Sequence, residues 1–216
     1  MQATLVIGNK TYSSWSLRPW LLLTQAGVAF EVVRLPLDTP EFHARIGDWS
    51  PSGRVPVLHD DGVVVWDSLA ICEYANERWL QGRGWPQDAA ARATARSAAA
   101  EMHGGFAALR TQLPMNLRRA ADGYRWDAAA QRDIDRVQAL WRDLRGRFGA
   151  DGPFLCGRFG IVDAMFAPVV FRFRTYGVAV DAVAAGWMAA MLALPAMHAW
   201  EAAAAAEHER VAADEV

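Results

Sequence analysis

Apolar and polar positions change period several times over the first 80 residues. Thr4–Ile7 is a β-branched run that predicts a strand, and Gly8–Tyr12 is polar and turn-like. From Ser16 to Ala26 the spacing is helical, with Leu17, Trp20, Leu21 and Leu23 able to share one core. Gly27 stands where a helix C-terminal glycine is expected. Phe30–Leu35 predicts a second strand, followed by a loop-rich stretch containing Pro36, Pro40, Pro51, Gly53 and Pro56. Val57–His59 and Gly62–Trp66 predict a hairpin around Asp60-Asp61-Gly62, and Asp67–Leu80 predicts a helix.

The order β-α-β followed by β-β-α is a thioredoxin-like arrangement. Gln81–Pro86 breaks the pattern with glycine and proline and is the expected linker. Beyond it the strand patterns vanish. Helices are expected over Asp88–Leu113, with Pro114 as the stop, and over Ala128–Phe148. Gly149–Gly160 reads as a glycine-rich turn. Helices over Ile161–Tyr176, near Gly186–Leu192 and over Pro195–Glu207 complete the chain. The expected organisation is a thioredoxin-like domain over 1–80, a linker over 81–86 and an all-helical domain over 87–216.

Composition narrows the function classes. Apolar residues make up 53%, which excludes a disordered chain. A formal net charge of -2 argues against a nucleic-acid partner, because phosphate binding needs a concentrated basic surface. Only one of the 22 basic residues is lysine, Lys10, so cationic chemistry here is guanidinium chemistry. The two cysteines, Cys72 and Cys156, form neither a CxxC nor a metal-ligand spacing, so neither a metal centre nor a dithiol centre is expected. Their low number suits a reducing compartment. The first ten residues do not form a signal peptide and no apolar run reaches a membrane span. A cytoplasmic protein without a membrane partner is expected.

Three segments carry candidate chemistry. Ser13-Ser14-Trp15-Ser16 sits between the first strand and the first helix. One serine suffices for an N-cap, and three exceed that need. A hydroxyl there can also donate to an anion held by the helix dipole. In Ser52-Gly53-Arg54-Val55-Pro56-Val57, a cis Val-Pro bond would leave the Val55 backbone free to pair with an extended ligand, although a trans proline at a strand start is equally ordinary. Asp67-Ser68 opens the next helix. Both residues suit a cap, and together they also suit a ligand with adjacent ammonium and carboxylate groups.

SSWSLRPWLLL, PSGRVPVL and WDSLAICEY, in that order and at those distances, resemble the N-terminal domain of cytosolic glutathione transferases. The SSxSxR form of Ser13–Arg18 is closest to the serine classes, zeta above all. Phe154–Pro168 is similar to the segment that opens the family's central helix.

The resemblance implies a glutathione S-transferase that activates the glutathione thiol for attack on small, largely apolar electrophiles. Ser13 is the implied thiol-activating residue, with Ser14 the alternative. Val55 and the cis Pro56 would hold the cysteinyl backbone, Asp67 and Ser68 the γ-glutamyl end, and Arg54 is a further glutathione contact. The stretch 101–119, on the helix expected to face that site, offers His103, Phe106, Arg110, Met115 and Asn116 for the second substrate. Phe106 and Met115 at helical spacing fit a core equally well.

Glutathione as co-substrate, no metal and a homodimer are implied. An isomerase of the maleylacetoacetate type and a non-catalytic binding protein are the alternatives. Three departures from the family stand out. Asp67 replaces a longer side chain, Gly160 replaces a Ser or Thr cap, and neither Arg172 nor Arg174 falls clearly in register with the zeta arginine that holds a substrate carboxylate.

Overall fold

The computed structural model describes residues 2–121 and 123–215, so the outer bounds drawn at 1 and 216 fall on residues not described. Four strands form one sheet: β1 (Ala3–Ile7), β2 (Phe30–Arg34), β3 (Val57–Asp60) and β4 (Val63–Val65), in the order β2-β1-β3-β4. β1 pairs in parallel with β2 and antiparallel with β3, and β3 with β4 makes the antiparallel hairpin. Asp61 and Gly62, at φ 47° and 82°, turn that hairpin, a conformation that selects Asp-Gly. Leu5, Val6 and Ile7 are fully buried, as a central strand covered on both faces requires.

α1 (Ser14–Gln25) and α3 (Ser68–Arg78) cover one face of the sheet, and α2 (Pro40–Trp49) covers the other. The stretch read as loop between Pro36 and Pro56 therefore contains a helix. Thr39 accepts a hydrogen bond from the Phe42 N–H, Pro40 stands at the start and Glu41 in the first turn. Proline at the first helical position starts a helix rather than breaking one. Phe42 and Ile46 bury this helix against Val6 and Val57.

The remaining helices are α4 (Ala89–Gly104), α5 (Ala107–Gln112), α6 (Ala128–Phe148), α7 (Ile161–Thr175), α8 (Ala182–Leu192) and α9 (Pro195–Ala205). The single helix expected over Asp88–Leu113 is broken at Gly105 and Phe106. Phe106 adopts a left-handed backbone at φ 61°, and a Cβ on Gly105 would lie 2.7 Å from the Glu101 carbonyl oxygen. The break turns the chain before Pro114 is reached. α8 begins at Ala182, ahead of the expected Gly186, because Asp181 caps it through the Ala184 N–H.

The sheet and helical halves share one core. α1 is buried nearly all round and packs on α3, α7 and α9. Residues 207–215 then return along the β1–α1 loop. The buried Glu207 carboxylate accepts from the backbone N–H groups of Lys10 and Thr11 at 2.7 and 3.0 Å, and Glu209 pairs with Arg34 at 2.8 Å. No single helix among the described residues is long and apolar enough to cross a membrane.

Candidate functional site

A cleft of about 380 Å³ opens where the β1–α1 loop meets α5 and α7. Tyr12, Ser13, Ser14 and Trp15 line it from the loop and helix start, Arg54 and Val55 from the turn before β3, Arg110 and Arg172 from the helical half, and Asp214 from the tail. A larger groove of about 800 Å³ lies elsewhere, beside Arg83, Trp85 and Phe159. Its one thiol, Cys156, is pushed by burial up to about 12 and is unreactive at neutral pH. The smaller cleft gathers the reactive groups.

Ser13 occupies the N-cap of α1, yet its side chain makes no cap bond. Its Oγ lies 2.7 Å from Ser16 Oγ, which accepts the Gly8 N–H at 3.2 Å. With Ser16 donating to Ser13, the Ser13 proton is free to point into the cleft. Ser14 Oγ accepts from the Arg172 guanidinium at 3.3 Å. Arg172 also donates to the carbonyls of Arg110 and Leu113, and burial lowers it to about 10. Arg172 thus faces the cleft, whereas Arg174 is paired with Glu201 outside it.

The Val55–Pro56 bond is cis, and the Val55 backbone N–H has no partner among the described residues. Asp67 Oδ1 accepts from the N–H groups of Leu69 and Ala70 and caps α3, while its Oδ2 lies 2.9 Å from His103 Nε2. Burial lowers the His103 pKa, against the pull of Asp67. Ser68 is 1% exposed and accepts from Arg18 Nη1 at 3.4 Å. Arg18 is fully buried, which lowers it to about 9, and its Nη2 has no partner among the described residues. The Arg18 and Arg110 guanidiniums both stack on the Trp15 ring, at 4.3 and 4.6 Å from its centre.

The structure thus brings Ser13, Ser14, Arg54, Val55 and Arg110 together. Asp67, Ser68 and His103 meet at the α3 N-terminus beyond Trp15. Phe106, Met115 and Asn116 do not line the cleft. Phe106 and Met115 are core residues, and Asn116 is spent holding Arg118 and the tail at Asp214. Phe106 sits at the break itself, and Met115 and Asn116 lie beyond the end of α5 at Gln112, off the helix face on which they were expected. Trp15, Arg172 and Asp214 are site residues that the sequence left unassigned. Trp15 and Arg172 carry a signal, as an aromatic at a helix start and an arginine in an otherwise apolar helix. Asp214 carries none, because a tail contact has no local pattern.

The departure at Gly160 has a steric cause. A Cβ there would lie 2.7 Å from the Gly84 carbonyl oxygen, the same oxygen that accepts the Ile161 N–H at 2.9 Å.

The family model for the glutathione S-transferase N-terminal domain matches residues 12–78, and that for its C-terminal domain matches 127–203. Glutathione S-transferase L1 of Arabidopsis thaliana is 22% identical over 162 residues, covering 74% of this chain and 62% of that protein. The chain thus spans less than two thirds of the length of the curated relatives it matches. Among solved structures, a Burkholderia glutathione transferase homolog with bound glutathione superposes at a TM-score of 0.72, with 22% identity and coverage of 95% and 99% of the two chains. The nitrogen regulation fragment of the yeast prion protein Ure2p superposes at 0.67, with 21% identity and coverage of 95% and 97%. These superpositions show the fold.

Proposed function

Because the chain belongs to the glutathione S-transferase family, we propose that it binds glutathione and transfers its thiol to small electrophiles. In this reading residues 1–80 hold glutathione and 87–216 supply the far wall. The Val55 backbone takes the cysteinyl unit, with Pro56 shaping the turn and Arg54 beside it. Asp67 and Ser68 take the γ-glutamyl end, with His103 positioning Asp67. The electrophile lies against Trp15, Arg110 and Tyr12.

The observation that carries the reading is the Ser13 hydroxyl, freed from capping at a helix N-terminus in the cleft. A free thiol with a pKa of ~8.5 is only about 3% thiolate at pH 7. The chain Gly8 N–H to Ser16 to Ser13 delivers one proton toward the sulfur, and the α1 dipole adds to it. A shift of ~2 units represents ~2.7 kcal/mol and makes most of the thiol anionic. The gain in rate is smaller than the gain in thiolate, since nucleophilicity falls with pKa.

Arg172 in the cleft supports a second reading, isomerisation of an unsaturated dicarboxylate by transient thiol addition. A third reading is a binding protein without turnover on the fold shared with Ure2p. Homodimer formation belongs to the first reading, and Val63 and Trp66 at the β4 edge are exposed at 46% and 48%.

Calorimetric titration with glutathione tests the premise. One site per chain is expected, weakened at least tenfold by Ser68→Ala or Asp67→Ala. No heat and no thermal stabilisation at millimolar glutathione would refute it. A turnover panel with a haloarene and a maleyl dicarboxylate separates the three readings.

A further inference from the structure

The cleft is lined by three arginines, Arg54, Arg110 and Arg172, and by one acid, Asp214. Neither Arg110 nor Arg172 has a carboxylate within 4 Å among the described residues. Their close partners are main-chain carbonyls and Ser14. Such a cleft attracts anions unless a fixed charge opposes it. Asp214 supplies that charge from a tail that is fastened on both sides. Asn116 Nδ2 donates to the Asp214 carbonyl at 3.2 Å, Tyr12 donates to Glu215, and Val211 is buried at 4% exposure.

Building on the proposed transferase reading, we propose that Asp214 sets the charge of the second substrate. As a carboxylate it answers Arg172 electrostatically, so it weakens the binding of carboxylates relative to uncharged electrophiles. Once neutral, it leaves Arg172 and Arg110 open to an anionic electrophile. This accounts for an arginine-lined cleft in an enzyme of largely apolar substrates. It makes a residue outside the helical frame the determinant of specificity.

The charge on Asp214 is within reach of ordinary pH. Burial raises its carboxyl to about 6, against the pull of Arg172, while Asp38 and Glu215 push the same way as burial. Arg110 and Arg54 face the same space, and Tyr12 is raised by burial to about 12 and stays neutral. Between pH 7.5 and 5.5 Asp214 therefore gains a proton and this weakening relaxes.

Benzoate and its uncharged counterpart benzamide, titrated calorimetrically into wild type, Asp214→Asn and Asp214→Glu, test this. At pH 7.5, Asp214→Asn should bind benzoate about tenfold more tightly than wild type, Asp214→Glu should not, and benzamide affinity should be the same in all three. At pH 5.5 wild type should gain benzoate affinity and Asp214→Asn should not. Equal responses of benzoate and benzamide to the Asn variant, or no change in benzoate affinity, would overturn the proposal. These titrations contain no glutathione. A parallel glutathione titration fails only if the transferase reading fails, so the two failures are distinguishable.

Discussion

Two of the places where this molecule buries charge treat it in opposite ways. At the start of α7, Asp163 is fully buried, and each donor around it is matched. Its oxygens accept from the N–H groups of Leu155 and Gly160 and from Trp187 Nε1, at 2.9, 3.0 and 2.8 Å. Beside Trp15, Arg18 is equally buried; its Nε donates to the Met165 carbonyl at 3.2 Å, but its Nη1 has only a long contact to Ser68 and its Nη2 is left without a partner among the described residues. A buried charge held by three buried donors fixes the fold, because losing it strands several donors at once. A buried charge left partly unsatisfied costs stability, and the fold tolerates it where a ligand can complete the set.

The largest effect expected from this contrast is at Asp163. Asp163→Ala removes a carboxylate and orphans three buried donors, so stability should fall by about 3–5 kcal/mol in urea unfolding. A loss below ~1 kcal/mol would erase the distinction.

Gly160→Ser probes the same node from the backbone side. A serine would restore the family's usual cap, yet its Cβ would press on the Gly84 carbonyl. The strain should win, with a loss of about 1–3 kcal/mol. An increase in melting temperature would show that the linker yields instead.

Next comes the pH dependence of that node. Burial raises the Asp163 carboxyl to about 6 from 3.8 unfolded, although its hydrogen bonds pull the other way. The folded state therefore binds this proton more tightly than the unfolded chain does. The contribution to stability is fully present below about 4 and is lost as pH rises through about 6. Wild type should thus gain on the order of 1–2 kcal/mol relative to Asp163→Asn between pH 6.5 and 4.5. A difference independent of pH would place the Asp163 titration elsewhere.

Arg18→Met should do least to stability, within about 1 kcal/mol, because an apolar chain of similar length fits a buried site that satisfies the charge only in part. Glutathione affinity should nevertheless drop about tenfold, since Arg18 backs Ser68. A protein that unfolds with this change, or binds glutathione as before, would make Arg18 a second Asp163.

Much of this was legible in the chain because it is local. The strand runs at Thr4 and Phe30, the Asp-Asp-Gly turn and the capping Asp67 each depend on neighbours a few residues away. The order of these elements carries the domain arrangement. Pro40 misled because proline marks both loops and helix starts, and Thr39 and Glu41 around it decided for the helix. The break at Gly105 was hidden by an alanine-rich sequence that suits one long helix. Phe106 falls at that break, and Met115 and Asn116 fall past the end of α5, so a single-helix reading misplaced all three. The Glu207 bond to Lys10 spans 197 residues and leaves no periodic trace, so neither the tail nor Asp214 could be read.

The central claim is that a serine hydroxyl released from capping lowers the pKa of the bound thiol. It is tested most directly by ultraviolet titration of the glutathione thiolate in wild type and Ser13→Ala, with Ser14→Ala and Ser16→Ala alongside. Ser13→Ala should leave glutathione affinity nearly unchanged and move the bound thiol toward ~8.5, the free value. Ser16→Ala should give a smaller shift in the same direction, since Ser16 acts through Ser13. An unchanged thiol pKa in all three folded variants would contradict serine activation, and a shift confined to Ser14→Ala would move the role one residue along the chain.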